Sequence, residues 1–264
     1  MPSAPDIGAR QRAEIEFWRD SKDESPECDS LTNLTFKMSE ARIFLDCLER
    51  HRQSFASEGR VLELGAGQGW ASCIYKKLFP IAHVTATDIS EFAIMSVPKW
   101  ERIFSVHLDN AYACVSYEIN EPDSSIDRVF CYASAHHFLA HRRTLIEIMR
   151  VLKPGGVAFY FYEPATPGYL YSLAKRRVNR RRPAVQEDVL ITSKIWNMAR
   201  GLGFGVVIDH YPSTTCRTPV EAIYYCLLAR ISILQKILPC SVNLVFTKPG
   251  GRDHEWLTRV PRCF

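Results

Sequence analysis

The sequence predicts an α/β fold: a doubly wound, mostly parallel sheet with helices on both faces. Seven short apolar runs have the length of strands, at about 60–65, 82–88, 112–117, 127–133, 156–162, 204–211 and 241–247. Stretches with the apolar spacing of helices separate most of them, and a glycine-rich turn follows the first. Strands that alternate with helices are typical of a parallel sheet, because the crossover helices cover both of its faces.

The length and composition are those of a globular protein with one large α/β domain and extra helices. The chain has 264 residues, 47% of them hydrophobic and 23% charged, and its formal net charge is +4. So small a net charge gives no indication of nucleic-acid binding. The nine cysteines form no C-x-x-C pair, and the N-terminus has no apolar signal segment. We therefore expect free thiols, no metal site and a cytoplasmic location.

The first predicted elements are helices. Residues 12–19 and 39–52 have apolar side chains at helical spacing, and a polar, acidic linker at 21–30 separates them. We expect residues 1–55 to form a helical cap.

A glycine-rich turn follows the first predicted strand. Residues 61–70 read VLELGAGQGW, which places Gly65, Gly67 and Gly69 between an apolar run and a helical pattern. Glycine adopts positive φ and has no Cβ, so such a turn can pass close under a ligand and present backbone N–H groups to it. The turn predicts a cofactor pocket. A dinucleotide fingerprint, G-x-G-x-x-G, would need a glycine where Trp70 stands.

An acid ends the second predicted strand. Asp88 follows the glycine turn by about twenty residues, where a carboxylate accepts hydrogen bonds from ribose hydroxyls in nucleotide-binding folds. Dinucleotide enzymes use the same geometry, so Asp88 indicates a nucleoside cofactor without choosing between classes. Asp88 is also a candidate N-cap for a helix that starts at Glu91, and the two roles are compatible.

Two further motifs follow in order. Residues 125–138 read SIDRVFCYASAHHF, an apolar strand with an acid near its start and a histidine pair after its end. Residues 150–156 read RVLKPGG, and another apolar run follows. Pro154 predicts the end of a helix, and the glycine pair predicts the turn into the next strand.

These motifs span residues 61–163 and resemble, in kind and order, those of class I S-adenosylmethionine-dependent methyltransferases of the small-molecule, methyltransferase-domain type. The resemblance implies S-adenosylmethionine as cofactor and a Rossmann-like sheet of seven strands, the last antiparallel. It implies a methyltransferase domain at 56–250, with helical insertions at 166–200 and 213–240 and a C-terminal tail at 251–264.

The resemblance also implies which residues bind the cofactor. The glycine turn would underlie its methionine part, and Glu63 would help to fix its ammonium group. Many relatives have an acid near the adenine after the third strand. Residues 113–122 lack the usual Gly-Asp-Ala signature, and Glu118 is the candidate, with Ser116 and Tyr117 beside it. The predicted cofactor-binding residues are Glu63, Gly65, Ala66, Gly67, Gly69, Trp70, Asp88, Ile89, Glu118 and Tyr132.

The chemistry that the resemblance implies is an in-line displacement at carbon with a neutral leaving group, in which positioning and desolvation supply much of the rate. A general base matters when the acceptor is a hydroxyl or a protonated amine. His136 and His137 follow the fourth strand, where relatives have their reaction centre, and imidazole titrates near neutral pH. We predict His136 as the base, with His137 and Glu163 as further catalytic candidates.

The insertions carry two unusual segments. Residues 175–182 contain six cations in eight positions, which indicates a solvated helix end, a site for an acidic substrate such as a phosphate, or contact with an anionic membrane. No RNA-binding motif accompanies them, so we expect no nucleic-acid partner. Residues 219–238 are strongly apolar, but Arg230 and Lys236 interrupt them, and the uninterrupted run is too short to span a bilayer. They predict a buried helix, or a helix at a membrane surface or a lipid-sized pocket.

The leading hypothesis is a methyltransferase for a small-molecule or lipid- or sugar-linked acceptor, with O- or N-methylation favoured. This hypothesis includes peripheral membrane contact through residues 175–182 and 219–238. A Rossmann oxidoreductase that uses NAD(P) is one alternative, but Trp70 and residues 153–156 argue against it. A non-catalytic protein that binds S-adenosylmethionine and serves as a partner or scaffold is the other.

Overall fold

Eight β-strands form one sheet in the computed structural model, which describes residues 7–55, 58–181, 186–215 and 217–250. The strands are β1 (Arg60–Leu64), β2 (His83–Asp88), β3 (Asn110–Ala113), β4 (Ile126–Tyr132), β5 (Leu152–Thr166), β6 (Leu190–Ile191), β7 (Gly205–His210) and β8 (Cys240–Thr247). Seven of them lie in the order β3-β2-β1-β4-β5-β8-β7, and the two-residue β6 pairs with the end of β5.

Ten α-helices lie before, between and after these strands in the described part of the chain. They are α1 (Ile7–Asp20), α2 (Leu31–Arg50), α3 (Trp70–Leu78), α4 (Glu91–Ile94), α5 (Val97–Phe104), α6 (His141–Val151), α7 (Tyr171–Val178), α8 (Thr192–Gly201), α9 (Pro219–Arg230) and α10 (Ser232–Ile237). A short 3₁₀ helix, Ala135–His137, follows β4.

The sheet confirms the predicted fold class. Its strands are parallel except β8, which runs antiparallel to both β5 and β7. The chain first moves outward from β1 to β2 and β3, then crosses back to place β4 on the other side of β1. The carboxyl ends of β1 and β4 therefore flank the point where the strand order reverses, which is where open α/β sheets bind ligands.

A hydrophobic core lies on each face of the sheet. One core includes side chains from β4, β5, β8, α6 and α8, among them Val129, Leu145 and Phe246. The other is rich in aromatic rings and includes α2 and α3, where Phe44 of α2 contacts the ring of Phe130 at 5.5 Å between centroids. Helix α2 thus packs into the core of the sheet, while α1 lies over its carboxyl edge.

Several element bounds differ from the sequence-based expectation, and three of them have a local cause. The third strand was expected at 112–117 but is Asn110–Ala113, because β2 ends at Asp88 and has no further residue to pair with. The fifth strand begins at Leu152, before the glycine pair, since Leu152 pairs with Ile126. Helix α2 begins at Leu31, because the Ser30 side chain accepts the Asn33 N–H and caps it.

Helix α9 is apolar yet mostly exposed. Leu228 is its one fully buried residue, whereas Val220, Ile223 and Leu227 are 78%, 66% and 49% exposed. The structure therefore does not support the prediction of a buried helix. None of the described helices is long and apolar enough to cross a membrane.

Candidate active site

All three glycines of the turn after β1 have left-handed backbone conformations. Their φ angles are +66° at Gly65, +52° at Gly67 and +81° at Gly69. A Cβ added at Gly65 would lie 2.7 Å from Ser134 Oγ, and one added at Gly69 would lie 2.7 Å from a methyl carbon of Val97. Only glycine fits these positions, because a side chain would meet both backbone strain and a neighbouring atom.

Asp88 joins this turn to the end of β2. Its Oδ2 accepts the Gly67 N–H at 2.8 Å, and its Oδ1 accepts the Ser90 N–H at 2.9 Å. Burial raises the pKa of Asp88 to about 6. The Ser90 side chain caps α4, so Asp88 does not have the N-cap role that the sequence allowed. A carboxylate oxygen has more than one lone pair, and this acid can therefore accept a further donor such as a ribose hydroxyl.

Glu63 lies beneath the turn. It is 2% exposed, and its Oε2 accepts a hydrogen bond from Ser72 Oγ at 2.5 Å. Burial raises the pKa of Glu63 to about 8, so its carboxyl is mostly neutral at pH 7. Glu63 supports the turn from below, and its contact with a ligand ammonium group stays a prediction.

A cavity of about 1330 Å³ opens above the carboxyl ends of β1, β2, β4 and β5. Pockets for one small ligand measure roughly 300–1,000 Å³, so this cavity has room for a cofactor and a second molecule. Its wall includes nine of the predicted site residues: Gly65, Ala66, Gly67, Trp70, Asp88, Ile89, Tyr132, His136 and His137. Four predicted site residues lie outside that wall: Glu63, Gly69, Glu118 and Glu163.

Glu163 orients His136 from behind the cavity wall. Its Oε2 lies 2.8 Å from Nδ1 of the His136 ring and also accepts the backbone N–H of His136. Its Oε1 accepts the backbone N–H groups of Ser134 and Ala135 at 2.9 and 2.8 Å. Burial opposes the charge on Glu163, but His136 and the backbone donors outweigh it, and the pKa of Glu163 is lowered. Because a carboxylate only accepts, Nδ1 of His136 carries the proton and Nε2 is the basic nitrogen.

The two histidines differ in charge. Burial, and then the charge of His137, lower the pKa of His136, which favours its neutral form. Burial also opposes charge on His137, but a hydrogen bond with Glu14 outweighs it and raises the pKa of His137. His137 Nδ1 lies 3.5 Å from Glu14 Oε2, and the two imidazole rings are 4.3 Å apart. The pair therefore combines a neutral imidazole with one that tends to be cationic.

Helix α1 roofs the glycine turn. A Cβ added at Gly67 would lie 3.0 Å from the Trp18 ring, and Gln11 Nε2 donates to Tyr117 Oη at 2.8 Å. Glu14 on the same helix contacts His137. The sequence analysis predicted a helical cap but named none of these α1 residues, because helical spacing does not show which face covers a ligand.

A comparison of the sequence with known families adds to the glycine turn, Asp88 and the strand order. The family model described as "Methyltransferase domain" matches residues 62–160. Residues 62–160 are therefore similar to a methyltransferase domain.

Relatives of known structure share the fold of this chain. The YcgJ protein of Bacillus subtilis has a TM-score of 0.57 at 17% identity, covering 81% of this chain and 100% of that one. Geranyl diphosphate C-methyltransferase of Streptomyces coelicolor A3(2), in complex with Mg²⁺, geranyl diphosphate and S-adenosyl-L-homocysteine, has a TM-score of 0.61 at 11% identity, covering 94% and 100%.

One curated relative is similar in sequence. Fatty-acid O-methyltransferase of Mycolicibacterium smegmatis is 29% identical over 110 residues, which are 42% of this chain. The match spans only 38% of that enzyme's length.

The cavity fits a nucleoside cofactor, but Glu118 lies outside it. The Glu118 side chain is 68% exposed and pairs with Arg143 at 3.1 Å. Since β3 ends at Ala113, the chain turns early and brings the preceding residues to the wall instead: Cys114, Val115, Ser116 and Tyr117. The structure therefore does not place Glu118 where the predicted adenine contact requires it.

A potential metal-binding group lies in the same cavity. His136, His137 and Glu187 bring three potential ligand atoms within 4.8 Å of one another. Two imidazoles and a carboxylate suit a first-row transition metal. The sequence analysis expected no metal site, and it did not anticipate that the insertion would bring Glu187 beside the histidine pair.

The two insertions form the part of the cavity that lies away from the glycine turn. Helix α7 contributes Leu173 and Arg177, and the second insertion contributes Arg217 and Tyr225. The end of the basic run, Arg182, lies outside the residues that the structure describes. Arg217 is a site residue that the sequence analysis missed, because a lone arginine outside any motif carries no local signal.

Proposed function

We propose that this chain transfers a methyl group from S-adenosylmethionine to an oxygen or nitrogen of a small-molecule or lipid-linked acceptor. The hydrogen-bonded pair of His136 and Glu163 at the cavity wall supports it most directly. When bound, the cofactor supplies an electrophilic methyl group on a sulfonium. The glycine turn and Asp88 would hold it, and α1 would shield it from water.

In this proposal His136 removes the acceptor's proton. Its Nδ1–H is bound to Glu163, so Nε2 has a free lone pair in a neutral ring. Glu163 is a positioning residue, because it is fully buried and reaches the cavity only through His136. The proton taken up by His136 would be stabilised by the carboxylate behind it.

Cofactor choice is tested by titration calorimetry with S-adenosylhomocysteine and with NAD. We expect binding of the first and none of the second, because the turn has Trp70 where a dinucleotide fingerprint needs glycine. Binding of NAD alone would favour the oxidoreductase alternative.

The role of the base is tested by His136→Ala, with His107→Ala as a matched control on a side chain that is 93% exposed. General bases contribute roughly 10²–10⁴-fold, so kcat should fall by at least about 100-fold in the first variant and stay unchanged in the second. Full turnover by His136→Ala with saturating acceptor would remove His136 from the mechanism.

The acceptor is identified with labelled S-adenosylmethionine and a cell extract, by following where the methyl group appears. A labelled product of low mass or in the lipid fraction supports the proposal. Cofactor binding without any labelled product would favour the non-catalytic alternative.

We also propose that the exposed face of α9 contacts an anionic lipid surface. Val220, Ile223 and Leu227 share that face. Arg176 and Arg177 lie in the last turn of α7, where Arg177 pairs with Glu221 of α9 at 3.0 Å. Apolar side chains beside cations are typical of helices that bind at membrane surfaces.

This contact is tested by flotation with anionic and with neutral vesicles. Ile223→Ser should weaken binding to anionic vesicles, whereas Ile81→Ser, at an equally exposed site elsewhere (65% against 66%), should not. Equal flotation of both variants and the parent protein, or none at all, would contradict the proposal.

A further inference from the structure

Arg217 is held in the insertion end of the cavity by neutral partners. Its Nη2 donates to Tyr162 Oη at 2.8 Å and to Ser241 Oγ at 3.1 Å. Its guanidinium lies over the Tyr225 ring, 4.0 Å from the centroid, and its Nε donates to the Ser213 carbonyl at 3.4 Å. These contacts fix the plane of the guanidinium and leave Nη1 without a hydrogen-bond partner among the described residues.

No carboxylate of the described residues lies within 4.0 Å of this guanidinium, in contrast to other cations near it. Arg177, which lines the same cavity, pairs with Glu221 at 3.0 Å, and Lys37 pairs with Glu24 at 2.6 Å. The positive charge of Arg217 does favour the ionised form of Glu40. That acid is bound to Tyr132 Oη instead, and burial raises its pKa, which weakens it as a counter-ion.

The cavity around Arg217 is otherwise largely apolar. Side chains from the two insertions form this wall: Leu170, Leu173, Val178, Tyr224, Leu238 and Pro239. A part-buried cation in apolar surroundings is unfavourable unless an anion accompanies it. A guanidinium whose plane is fixed and whose Nη1 is free can donate the two Nη1 hydrogens to an oxyanion such as a carboxylate or phosphate.

We propose that Arg217 binds an oxyanion of the acceptor, and that an apolar chain of the same molecule lies along the wall formed by α7 and α9. The acceptor is then an anionic amphiphile whose charged group is a carboxylate or a phosphate. This assignment rests on the proposed function for its reaction, but the binding site itself is independent of catalysis.

The test measures binding of three probes that share one chain: dodecanoate, dodecyl phosphate and the neutral dodecanol, each below its micelle concentration. Calorimetry is done with and without S-adenosylhomocysteine, so that a failure of cofactor binding is seen separately from a failure of this site. We expect at least one anionic probe to bind about tenfold or more tightly than dodecanol. The neutral hydroxyl of dodecanol cannot form the desolvated charge pair with Arg217 that an anionic group forms. The stronger of the two anionic probes identifies the oxyanion.

Two variants and a control complete the experiment. Arg217→Gln should remove the preference for the anionic probe and leave dodecanol binding unchanged. Arg217→Lys keeps the charge but loses the planar guanidinium that these contacts hold in place, and should retain part of the preference. Arg200→Gln is the control, because the Arg200 guanidinium lies over the Trp196 ring and outside the cavity wall. This variant should bind all three probes as the parent protein does.

Two outcomes would overturn the proposal. One is equal affinity of the parent protein for dodecanol and both anionic probes. The other is a loss in Arg217→Gln that is the same for neutral and anionic probes. If Arg217→Gln does not fold, as judged by its thermal transition, Arg217→Lys decides: undiminished anionic preference would then count against recognition of the oxyanion by the guanidinium.

Discussion

Replacing Glu163 by glutamine tests the structure of the catalytic pair. The carboxylate accepts four hydrogen bonds from N–H groups, besides one from the Cys131 thiol: two backbone N–H groups at Oε1, and the backbone N–H and Nδ1–H of His136 at Oε2. A glutamine with its carbonyl at the Oε1 position keeps the first two. Its NH₂ group then faces the His136 N–H, donor against donor, and turns Nδ1 of His136 into an acceptor.

Both stability and activity should change in Glu163→Gln. One or two buried donors lose their acceptor, at about 1–3 kcal/mol each, so the free energy of unfolding should fall by roughly 2–4 kcal/mol. The tautomer change moves the imidazole proton to Nε2, which removes the base. We expect kcat to fall by about 100-fold or more with a hydroxyl acceptor.

The assay combines chemical denaturation, S-adenosylhomocysteine calorimetry and steady-state kinetics. Cofactor affinity should change little, because Glu163 does not line the cavity. Glu118→Gln is the matched control, since that acid is 68% exposed and should leave all three measurements unchanged. A folded Glu163→Gln variant with parental kcat would refute the assignment of His136 as an oriented base.

Three further outcomes follow from the geometry. Gly65→Ala should weaken S-adenosylhomocysteine binding. It should also lower the free energy of unfolding by more than the roughly 1–2 kcal/mol that a left-handed alanine costs, because its Cβ would meet Ser134 as well. Gly155→Ala is the control: its φ is +79° but the space around it is open, so denaturation should show the backbone cost alone. Trp18→Ala should weaken cofactor binding in calorimetry by about tenfold through loss of the roof, unlike Trp196→Ala. The lowered pKa of His136 means that kcat/KM for a hydroxyl acceptor should be constant above pH 6.5, the ordinary histidine value, and fall below it; a fall that starts well above pH 6.5 would contradict a neutral His136.

Several residues that local signals single out line one cavity, and their cofactor contacts stay predictions. The glycine turn, Asp88 and the histidine pair all line the cavity, because parallel strands bring their carboxyl ends to one edge of the sheet. Glu118 is different. Its prediction depended on where the third strand ends, and that strand ends at Ala113 when its partner β2 does.

Residues distant in sequence complete the site, and no local pattern announces them. Glu14 meets His137 across 123 positions of the chain, and Tyr162 is separated from Arg217 by 55. Such contacts depend on how helices and insertions fold back over the sheet.

The sequence by itself determined the fold class, the order of the motifs and the class of methyl donor. The fold class and the motifs depend on short-range features: alternating apolar runs, glycines that require positive φ, and an acid at a strand end. The class of methyl donor follows from the resemblance that these motifs carry. Tertiary structure alone decided which histidine is oriented by Glu163, and which helix roofs the turn. It also decided that Arg217 stands without a carboxylate partner among the described residues. Hydrogen bonds and burial between distant segments set these properties, and they exist only once the sheet has formed.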